Sequence, residues 1–299
     1  MKLKSAVNRV NSPMPDVADW DGHTLADLLE PERIAEGKFQ CVTHESNLNG
    51  IAFGGQLLGQ ALQVAQRHCP ELMPASLNVL FVEGAAVHLP IDYKITSIQV
   101  GRRFARYRVR ATQGRRIVLD AHASFQADMS GFEHASGIPP SIPMPESLLS
   151  LDMLDDDQGY DWGQHQKSCL ELRLVDPDLG LRAPSKHTER AFWIKLRNPL
   201  PHDTSLHNSA LAYLSDYWIN CGAMTRQVAL TEAAKDIFAV SLNHSLWFHD
   251  GCVADDWLLF VSHCPAMQRG RGLSMASVYQ RDGRLVASMA QDCLMLKRD

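Results

Sequence analysis

The chain has 299 residues, of which 45% are hydrophobic and 21% are charged, a composition that is typical of a folded globular protein and not of a disordered one. Its net charge of −5 gives no electrostatic support for a nucleic-acid or membrane-surface partner, and no run approaches the ~20 apolar residues of a transmembrane helix. Seven scattered cysteines form no Cys-x-x-Cys pair, and the N-terminal residues lack the apolar core of a secretory signal. We therefore predict a cytoplasmic protein that inserts into no membrane and needs no metal or cofactor.

The first half of the chain predicts one long helix followed by four strands. The stretch Phe53–Cys69 has helical length, with apolar residues on helical spacing and Gly54–Gly55 at its start. Before it, "KFQCVTHE" alternates between apolar and polar residues as a strand does. The strand-like segments after it cover about 77–83, 91–100, 103–113 and 116–127.

The same order returns later in the chain. "RAFWIKLR" predicts a strand and "SLHNSALAYLSDYWIN" a helix, and the strand-like segments that follow cover about 237–249, 257–264, 271–281 and 284–296. If Gly54 is laid on Asn208, the two helices are offset by roughly 154 residues. This two-fold repeat indicates a duplicated α+β domain, in which each antiparallel sheet wraps around its own long helix. We predict an N-terminal repeat at 21–128, a proline-punctuated linker at 129–188 and a C-terminal repeat at 189–299.

One charged side chain stands out in the second predicted helix. From Asn208 to Thr225, Asp216 is the only charged residue, and its neighbours are Leu, Ala, Tyr, Trp and Ile. A helix enclosed by its sheet is apolar nearly all round, so this carboxylate is expected to be buried. Burying an unpaired carboxylate costs several kcal/mol, so we expect Asp216 to have a partner.

Two of the strands predicted after this helix add further polar candidates. In the closing strand, alternation places Gln291 as the one strongly polar residue of an otherwise apolar face. Gln291 and Asp216 therefore either serve each other or share a water. In the strand 237–249, the same alternation places Ser241 and His244 on opposite faces, which disfavours a serine nucleophile with His244 as its base.

Four segments carry a resemblance to a known family: "FGGQLLGQAL", "ASFQADMSGFEH", "NHSLWFH" and "DGRLVASMAQD". In this order and spacing they resemble the acyl-CoA thioesterase II family, whose fold is a double hotdog, over about Leu25 to Lys297. The resemblance implies hydrolysis of an acyl-CoA thioester by a water held between an Asp, a Ser or Thr, and a Gln. The matching positions are Asp216, Ser241 and Gln291. This chain departs from the family where Ser241 replaces the usual Thr and where Asn243 replaces an Asp, which we expect to remove a charge near the site.

The resulting expectation is an enzyme that hydrolyses medium- to long-chain fatty acyl-CoA to free fatty acid and CoA. Gly54 and Gly55 are expected to offer backbone amides to the thioester oxygen at the helix start. On the 154-residue offset Leu62 stands at the place of Asp216, so we expect one active site per chain and a C-terminal location for it. A double hotdog already pairs two repeats within one chain, as a dimer of single hotdogs would. Further assembly into a homo-oligomer, a dimer or higher, is left open by the sequence.

Two alternatives remain open from the sequence. A non-catalytic acyl-CoA binding or sensing protein would keep the fold but would not hydrolyse the thioester. Asn243, in place of the usual Asp, is the feature that leaves this alternative open. A hotdog acyl-thioester dehydratase would need a His or carboxylate beside the acyl β-carbon. His207, at the mouth of the second predicted helix, is the candidate for that role.

Overall fold

The computed structural model describes residues 15–154, 167–178 and 180–298. Some parts of the sequence-based expectations lie outside these residues: 155–166 and Leu179 of the predicted linker, Asp299 of the predicted C-terminal repeat, and the N-terminal residues 1–14 that were considered as a secretory signal. The described chain is an α+β structure, as expected. Its helices are α1 Leu25–Leu29, α2 Gly54–Gln66, α3 Thr204–Ser215, α4 Cys221–Thr225 and α5 Leu230–Asp236.

Strands make up most of the ordered structure, and most of them were expected from the period-two patterns. Three strands were not expected: Ala18–Asp19 and Glu32–Ala35, which precede the first predicted strand, and Leu170–Leu174, which lies within the predicted linker, where little periodicity is present. The N-terminal half contains β1 Ala18–Asp19, β2 Glu32–Ala35, β3 Lys38–Cys41, β4 Thr43–His44, β5 Met73–Phe81, β6 Ile91–Val100, β7 Phe104–Gln113 and β8 Arg116–Gln126. The C-terminal half contains β9 Leu170–Leu174, β10 Arg190–Leu196, β11 Ile237–Phe248, β12 Leu258–Gln268, β13 Arg271–Gln280 and β14 Leu285–Lys297.

One antiparallel sheet of 12 strands runs through both halves, in the order β2-β3-β6-β7-β8-β5-β11-β14-β13-β12-β10-β9. The halves meet where β5 pairs with β11, for example at Leu77 and Leu246. Outward from that pair the strand order is the same in both halves. It is β5, β8, β7, β6 in the N-terminal half and β11, β14, β13, β12 in the C-terminal half. The two long helices α2 and α3 therefore lie side by side on the sheet face.

Glycines let α2 and α3 approach each other closely and in antiparallel directions. A Cβ atom on Gly55 would lie 2.4 Å from the carbonyl oxygen of Tyr213, and one on Gly59 would lie 2.8 Å from that of Ser209. At the other end, the Gln66 amide donates to the carbonyl of Ser205 at 2.9 Å. The packing therefore brings the start of α2 against the end of α3.

The second long helix is shorter than its pattern predicts. The pattern suggests a helix through Asn220, but α3 ends at Ser215 and Asp216 is its C-cap residue. The reason lies in the backbone, because Trp218 has a φ of 63°, in the left-handed region that a continuing α-helix does not allow. Asp216 is thus placed at a helix end and not within a helix.

Two further observations bear on the expectations from composition. All seven cysteines are buried free thiols. Within the described residues, no helix combines the length and the apolar character that crossing a membrane requires.

Candidate active site

Asp216 lies against the start of α2, at the contact between the two halves. A Cβ atom on Gly54 would lie 2.5 Å from the Asp216 Oδ2 atom, so a larger residue would displace the carboxylate from this position. The backbone N–H of Gly55 donates a hydrogen bond to the same carboxylate. Free N–H groups and the helix dipole at a helix start both favour a negative charge. The two glycines expected to bind substrate are therefore already in contact with Asp216.

Ser241 and Gln291 complete a cluster with Asp216, as expected. The Ser241 hydroxyl donates to Asp216 Oδ1 at 3.3 Å, and the Gln291 amide nitrogen donates to Ser241 Oγ at 2.8 Å. The Gln291 side chain also hydrogen-bonds the carboxylate itself. Gln291 is fully buried, whereas Asp216 and Ser241 are partly exposed, so the carboxylate and the hydroxyl are the members of the cluster that a bound molecule can reach.

The expected placement of His244 on the opposite face from Ser241 is wrong. Strand β11 changes register against β14 between the pairs Ser241–Cys293 and Asn243–Asp292, so Leu242 is an extra residue. Such a β-bulge re-aims the side chains that follow it. Ser241 and His244, three residues apart, therefore both face the inside of the sheet and both contact Gln291.

His244 belongs to the buried part of the same hydrogen-bond network. Its Nδ1 atom lies 2.5 Å from Gln291 Oε1, and its Nε2 atom lies 2.9 Å from Ser215 Oγ. Burial lowers the pKa of His244 to about 4, so the imidazole is neutral at physiological pH. His244 and Ser215 were not predicted as members of the site, because a strict two-residue period turns His244 away from it.

A partly buried cation lies next to this cluster. Lys167 forms an ion pair with Glu45, and its Nζ atom lies 3.5 Å from the centre of the Phe53 ring. The Tyr213 hydroxyl donates to the same Glu45 carboxylate at 2.9 Å. Burial lowers the pKa of Lys167, and the Glu45 carboxylate opposes that shift. Among the described residues Lys167 pairs with Glu45 and not with Asp216, so no cation holds the Asp216 carboxylate permanently.

These surroundings set the protonation of Asp216. Burial raises the pKa of Asp216 to about 6, although hydrogen bonds from Gln291, Ser241 and the Gly55 backbone and the charge of Lys167 each lower it. A carboxylate with this pKa is ionised at neutral pH yet more basic than an ordinary aspartate. That combination suits a general base that works near neutral pH.

Two residues considered for other functions lie away from the cluster. His207 is at the opposite end of α3 from Asp216, nine residues or about 13 Å along the helix. Its Nδ1 atom accepts a hydrogen bond from the backbone N–H of Ala254 at 3.1 Å. Asn243 directly follows the bulge and precedes the inward-facing His244, so it faces the outer side of the sheet. The change at Asn243 therefore removes no charge from the Asp216 cluster.

The arrangement of a wrapped sheet and a central helix pair is known from solved hotdog structures. A conserved protein with a hotdog fold from Alicyclobacillus acidocaldarius superposes with a TM-score of 0.75 over 93% of this chain and 99% of that one, at 19% identity. At this identity the likeness concerns the fold alone. An acyl-CoA thioesterase II, TesB2, from Mycobacterium marinum superposes with a TM-score of 0.76 at 27% identity, over 92% of this chain and 99% of that one. The chain therefore has the fold of a hotdog thioesterase.

Sequence comparison identifies the family. Residues 43–126 match the model of the acyl-CoA thioesterase N-terminal domain, and residues 145–295 match that of the C-terminal domain. Acyl-coenzyme A thioesterase 8 of Mus musculus is 30% identical over 282 residues, which cover 88% of this chain and 85% of the relative. Acyl-CoA thioesterase 2 of Haemophilus influenzae is 26% identical, with 91% and 97% covered. The chain belongs to the acyl-CoA thioesterase family, and the expected class of enzyme, a hydrolase of acyl-CoA thioesters, is confirmed.

Proposed function

We propose that this chain hydrolyses medium- to long-chain fatty acyl-CoA with Asp216 as a general base, acting on a water held by Ser241 and Gln291. The observation that carries the proposal is the convergence of these three side chains from α3, β11 and β14. The hydroxyl of Ser241 lies 3.3 Å from Asp216 Oδ1 and 2.8 Å from the Gln291 amide nitrogen. A water that joins this cluster meets one strong acceptor and two groups able to orient it.

The chemistry follows from those groups. The water oxygen attacks the thioester carbonyl carbon while Asp216 takes one of its protons, a contribution of about 10²–10⁴-fold for a positioned base. The tetrahedral intermediate then breaks the carbon–sulfur bond, the CoA thiolate leaves, and the proton on Asp216 is available to it. The products are a free fatty acid and CoA.

We assign the developing oxyanion to the start of α2. The backbone at Gly54 and Gly55 carries no side chain there, and a helix start offers N–H groups that no helical carbonyl accepts. Each such donor is worth about 10²–10³-fold in acyl transfer. The N–H of Gly55 already donates to Asp216, so the substrate oxygen would lie next to the base at the start of α2.

We further propose that the fold is a double hotdog, with repeats at 21–128 and 189–299 joined through 129–188. The strand order, which is the same outward from the β5–β11 pair in both halves, supports this division. The seven free thiols suit a reducing, cytoplasmic location. Assembly of the chain into a homo-oligomer is also a proposal.

Among the residues that the structure describes, the two alternatives lack a supporting contact. The acyl-CoA sensor depended on Asn243, which faces away from the Asp216 cluster. The dehydratase depended on His207, which lies at the far end of α3 and contacts the Ala254 backbone. Neither residue contacts Asp216 within the described part of the chain.

Thiol release from acyl-CoAs of graded chain length tests the proposal. We expect wild type to release thiol fastest with medium and long chains, and Asp216→Asn to lose at least about 10²-fold in kcat because the base is gone. Asp255→Asn is the matched control, since that aspartate lies near His207 at the other end of α3. Acyl-CoA binding without thiol release by wild type would instead support the sensor, and interconversion of enoyl and hydroxyacyl groups would support the dehydratase.

A further inference from the structure

The buried network behind Asp216 contains a histidine that the proposed reaction does not use. His244 is fully buried, as are its two partners Ser215 and Gln291. The contacts run from α3 through β11 to β14: Ser215 Oγ to His244 Nε2 at 2.9 Å, and His244 Nδ1 to Gln291 Oε1 at 2.5 Å. Through Gln291 the network continues to Ser241 and Asp216.

The direction of these hydrogen bonds is fixed at the Asp216 end. An ionised carboxylate only accepts hydrogen bonds, so Gln291 must turn its NH₂ group toward Asp216 and Ser241. The Gln291 oxygen then faces His244, and a short contact with that oxygen requires a proton on His244 Nδ1. Because the ring is neutral, Nε2 is left as an acceptor for the Ser215 hydroxyl.

The other tautomer would reverse the amide. With its proton on Nε2, His244 would donate to Ser215, whose hydroxyl has a second acceptor in the Ala212 carbonyl at 2.7 Å. The bare Nδ1 atom would then require the NH₂ group of Gln291. In that arrangement the Gln291 oxygen would face Ser241 Oγ, whose one proton is directed at Asp216 Oδ1, and two acceptors would meet without a proton between them.

We propose that His244 is a positioning residue, which donates from Nδ1 to fix the Gln291 amide with its NH₂ group toward Ser241 and Asp216. In this tautomer the one proton of the Ser215 hydroxyl goes to His244 Nε2, at 2.9 Å, instead of to the Ala212 carbonyl, at 2.7 Å. All four hydrogen bonds then point one way, from Ser215 to His244, to Gln291, to Ser241 and to Asp216. This proposal rests on the proposed function, because it assigns His244 a role in holding the groups that activate the water.

The expected kinetic signature comes from the charge on Asp216. Among the described residues, the charged or titratable groups that act on Asp216 are Lys167, which is paired with Glu45, and the nearby thiol of Cys293. Neither Lys167 nor Cys293 changes when His244 is replaced. If the Gln291 amide is released, the carboxylate loses a donor, so the acid limb of the kcat/KM profile moves to higher pH. A residue that only fills space would lower the rate and leave that limb in place.

Two substitutions separate the two nitrogens of the ring. His244→Asn places an amide nitrogen close to the position of Nδ1, and His244→Gln places one close to the position of Nε2. We expect His244→Asn to keep kcat within a few-fold of wild type and the acid limb at its original pH. For His244→Gln we expect a loss of about 10-fold to 10²-fold in kcat with little change in KM, because a displaced catalytic group has effects of this size.

The tautomer itself is measured by nitrogen-15 NMR of histidine-labelled wild type, with the His244 signals assigned by their absence in His244→Asn. We expect a neutral ring with the proton on Nδ1. A neutral ring with the proton on Nε2, or an acid limb that stays in place in His244→Gln, would overturn the proposal. The NMR result does not depend on the role of Asp216, so it remains decisive for His244 even if Asp216→Asn retains full activity and the proposed function fails.

Discussion

The two halves of this chain place the same elements around different chemistry. The 154-residue offset maps Gly55 onto Ser209 and Gly59 onto Tyr213. The close contact of Gly55 with Tyr213 therefore corresponds to the close contact of Ser209 with Gly59. Strands β5 and β11 both end on a phenylalanine, Phe81 and Phe248. The helix and strand positions of the two halves can therefore be compared residue by residue.

At four matched places one half is apolar and the other polar. When Phe81 is laid on Phe248, the register pair Leu77–Ala123 of β5 and β8 matches the pair His244–Gln291 of β11 and β14. On the helices, Ala61 and Leu62 match Ser215 and Asp216. The N-terminal set is wholly buried and apolar: Ala61, Leu62, Leu77 and Ala123. The C-terminal set forms the network around the proposed base: Ser215, Asp216, His244 and Gln291.

This difference indicates that the scaffold tolerates either set and that one half supplies the polar network of the proposed site. A polar set in this position is stable only if every member has a partner, since a partly satisfied buried network is worse than an apolar core. The C-terminal half meets that condition through hydrogen bonds that reach the backbone of the other half at Gly55. The N-terminal half contributes packing and a helix start. Each helix thus supports the site in a different way.

The largest effect should come from giving the N-terminal half the acid of the C-terminal half. Leu62→Asp buries a carboxylate with no network to receive it, and we expect the free energy of unfolding to fall by about 3–5 kcal/mol. Urea unfolding measures the change, and Leu62→Met, which preserves volume, is the matched control. An unchanged urea midpoint for Leu62→Asp would mean that the N-terminal half also accommodates a carboxylate at this position, which contradicts the difference proposed between the two halves.

A smaller effect of opposite sign is expected when the acid is removed from its own half. Burial raises the pKa of Asp216 to about 6, so the folded state binds this proton more tightly than the unfolded state does. Ionising the group therefore costs stability as the pH rises from near 4 to above 6. We expect Asp216→Asn to gain about 2 kcal/mol relative to wild type across that range, allowing for partial exposure of the group.

Unfolding of both proteins at pH 4 and pH 8 provides the measurement for Asp216→Asn. Wild type and the variant should differ least at the lower pH, where Asp216 is protonated in the folded state and about half protonated in the unfolded state. A difference that shrinks toward high pH would show that folding stabilises the carboxylate, the reverse of the effect expected from its burial.

The contact between the halves can be changed at a single glycine. In Gly54→Ala the new Cβ atom would lie 2.5 Å from Asp216 Oδ2, so the flexible carboxylate must move away from the start of α2. We expect about a 10-fold loss of kcat with the fold retained, since a displacement of this kind misplaces the base. Gly131→Ala is the control, because a Cβ atom there meets nothing within 4 Å. Equal kcat in Gly54→Ala and Gly131→Ala would show that the position of Asp216 does not affect catalysis, which contradicts its role as the base.

The features that were predictable from the sequence are those that depend on the pattern of neighbouring residues in the chain. Asp216 and Gln291 were found because each is the one strongly polar residue of an apolar pattern, and burial of such a group requires a partner. The order of helix and strands repeats visibly in the sequence. The resemblance supplied Ser241 and the class of reaction.

The rest depended on geometry that no local pattern encodes. The extra residue Leu242 reverses the alternation in β11 and brings His244 beside Gln291, and a single inserted residue leaves no mark on the composition of a strand. The end of α3 depends on the left-handed backbone of Trp218, a residue type that does not usually signal it. Lys167 reaches Glu45 and Phe53 from the predicted linker, through contacts far apart in sequence.

The central claim, that Asp216 activates a water and does not itself attack the thioester, is tested most directly by a single turnover in water enriched in oxygen-18. With enzyme in excess over acyl-CoA, we predict that the fatty acid formed carries one oxygen-18 atom and that the peptide containing Asp216 carries none. Unlabelled fatty acid in the first turnover, with oxygen-18 in the Asp216 carboxylate, would show an acyl-enzyme anhydride and contradict the claim.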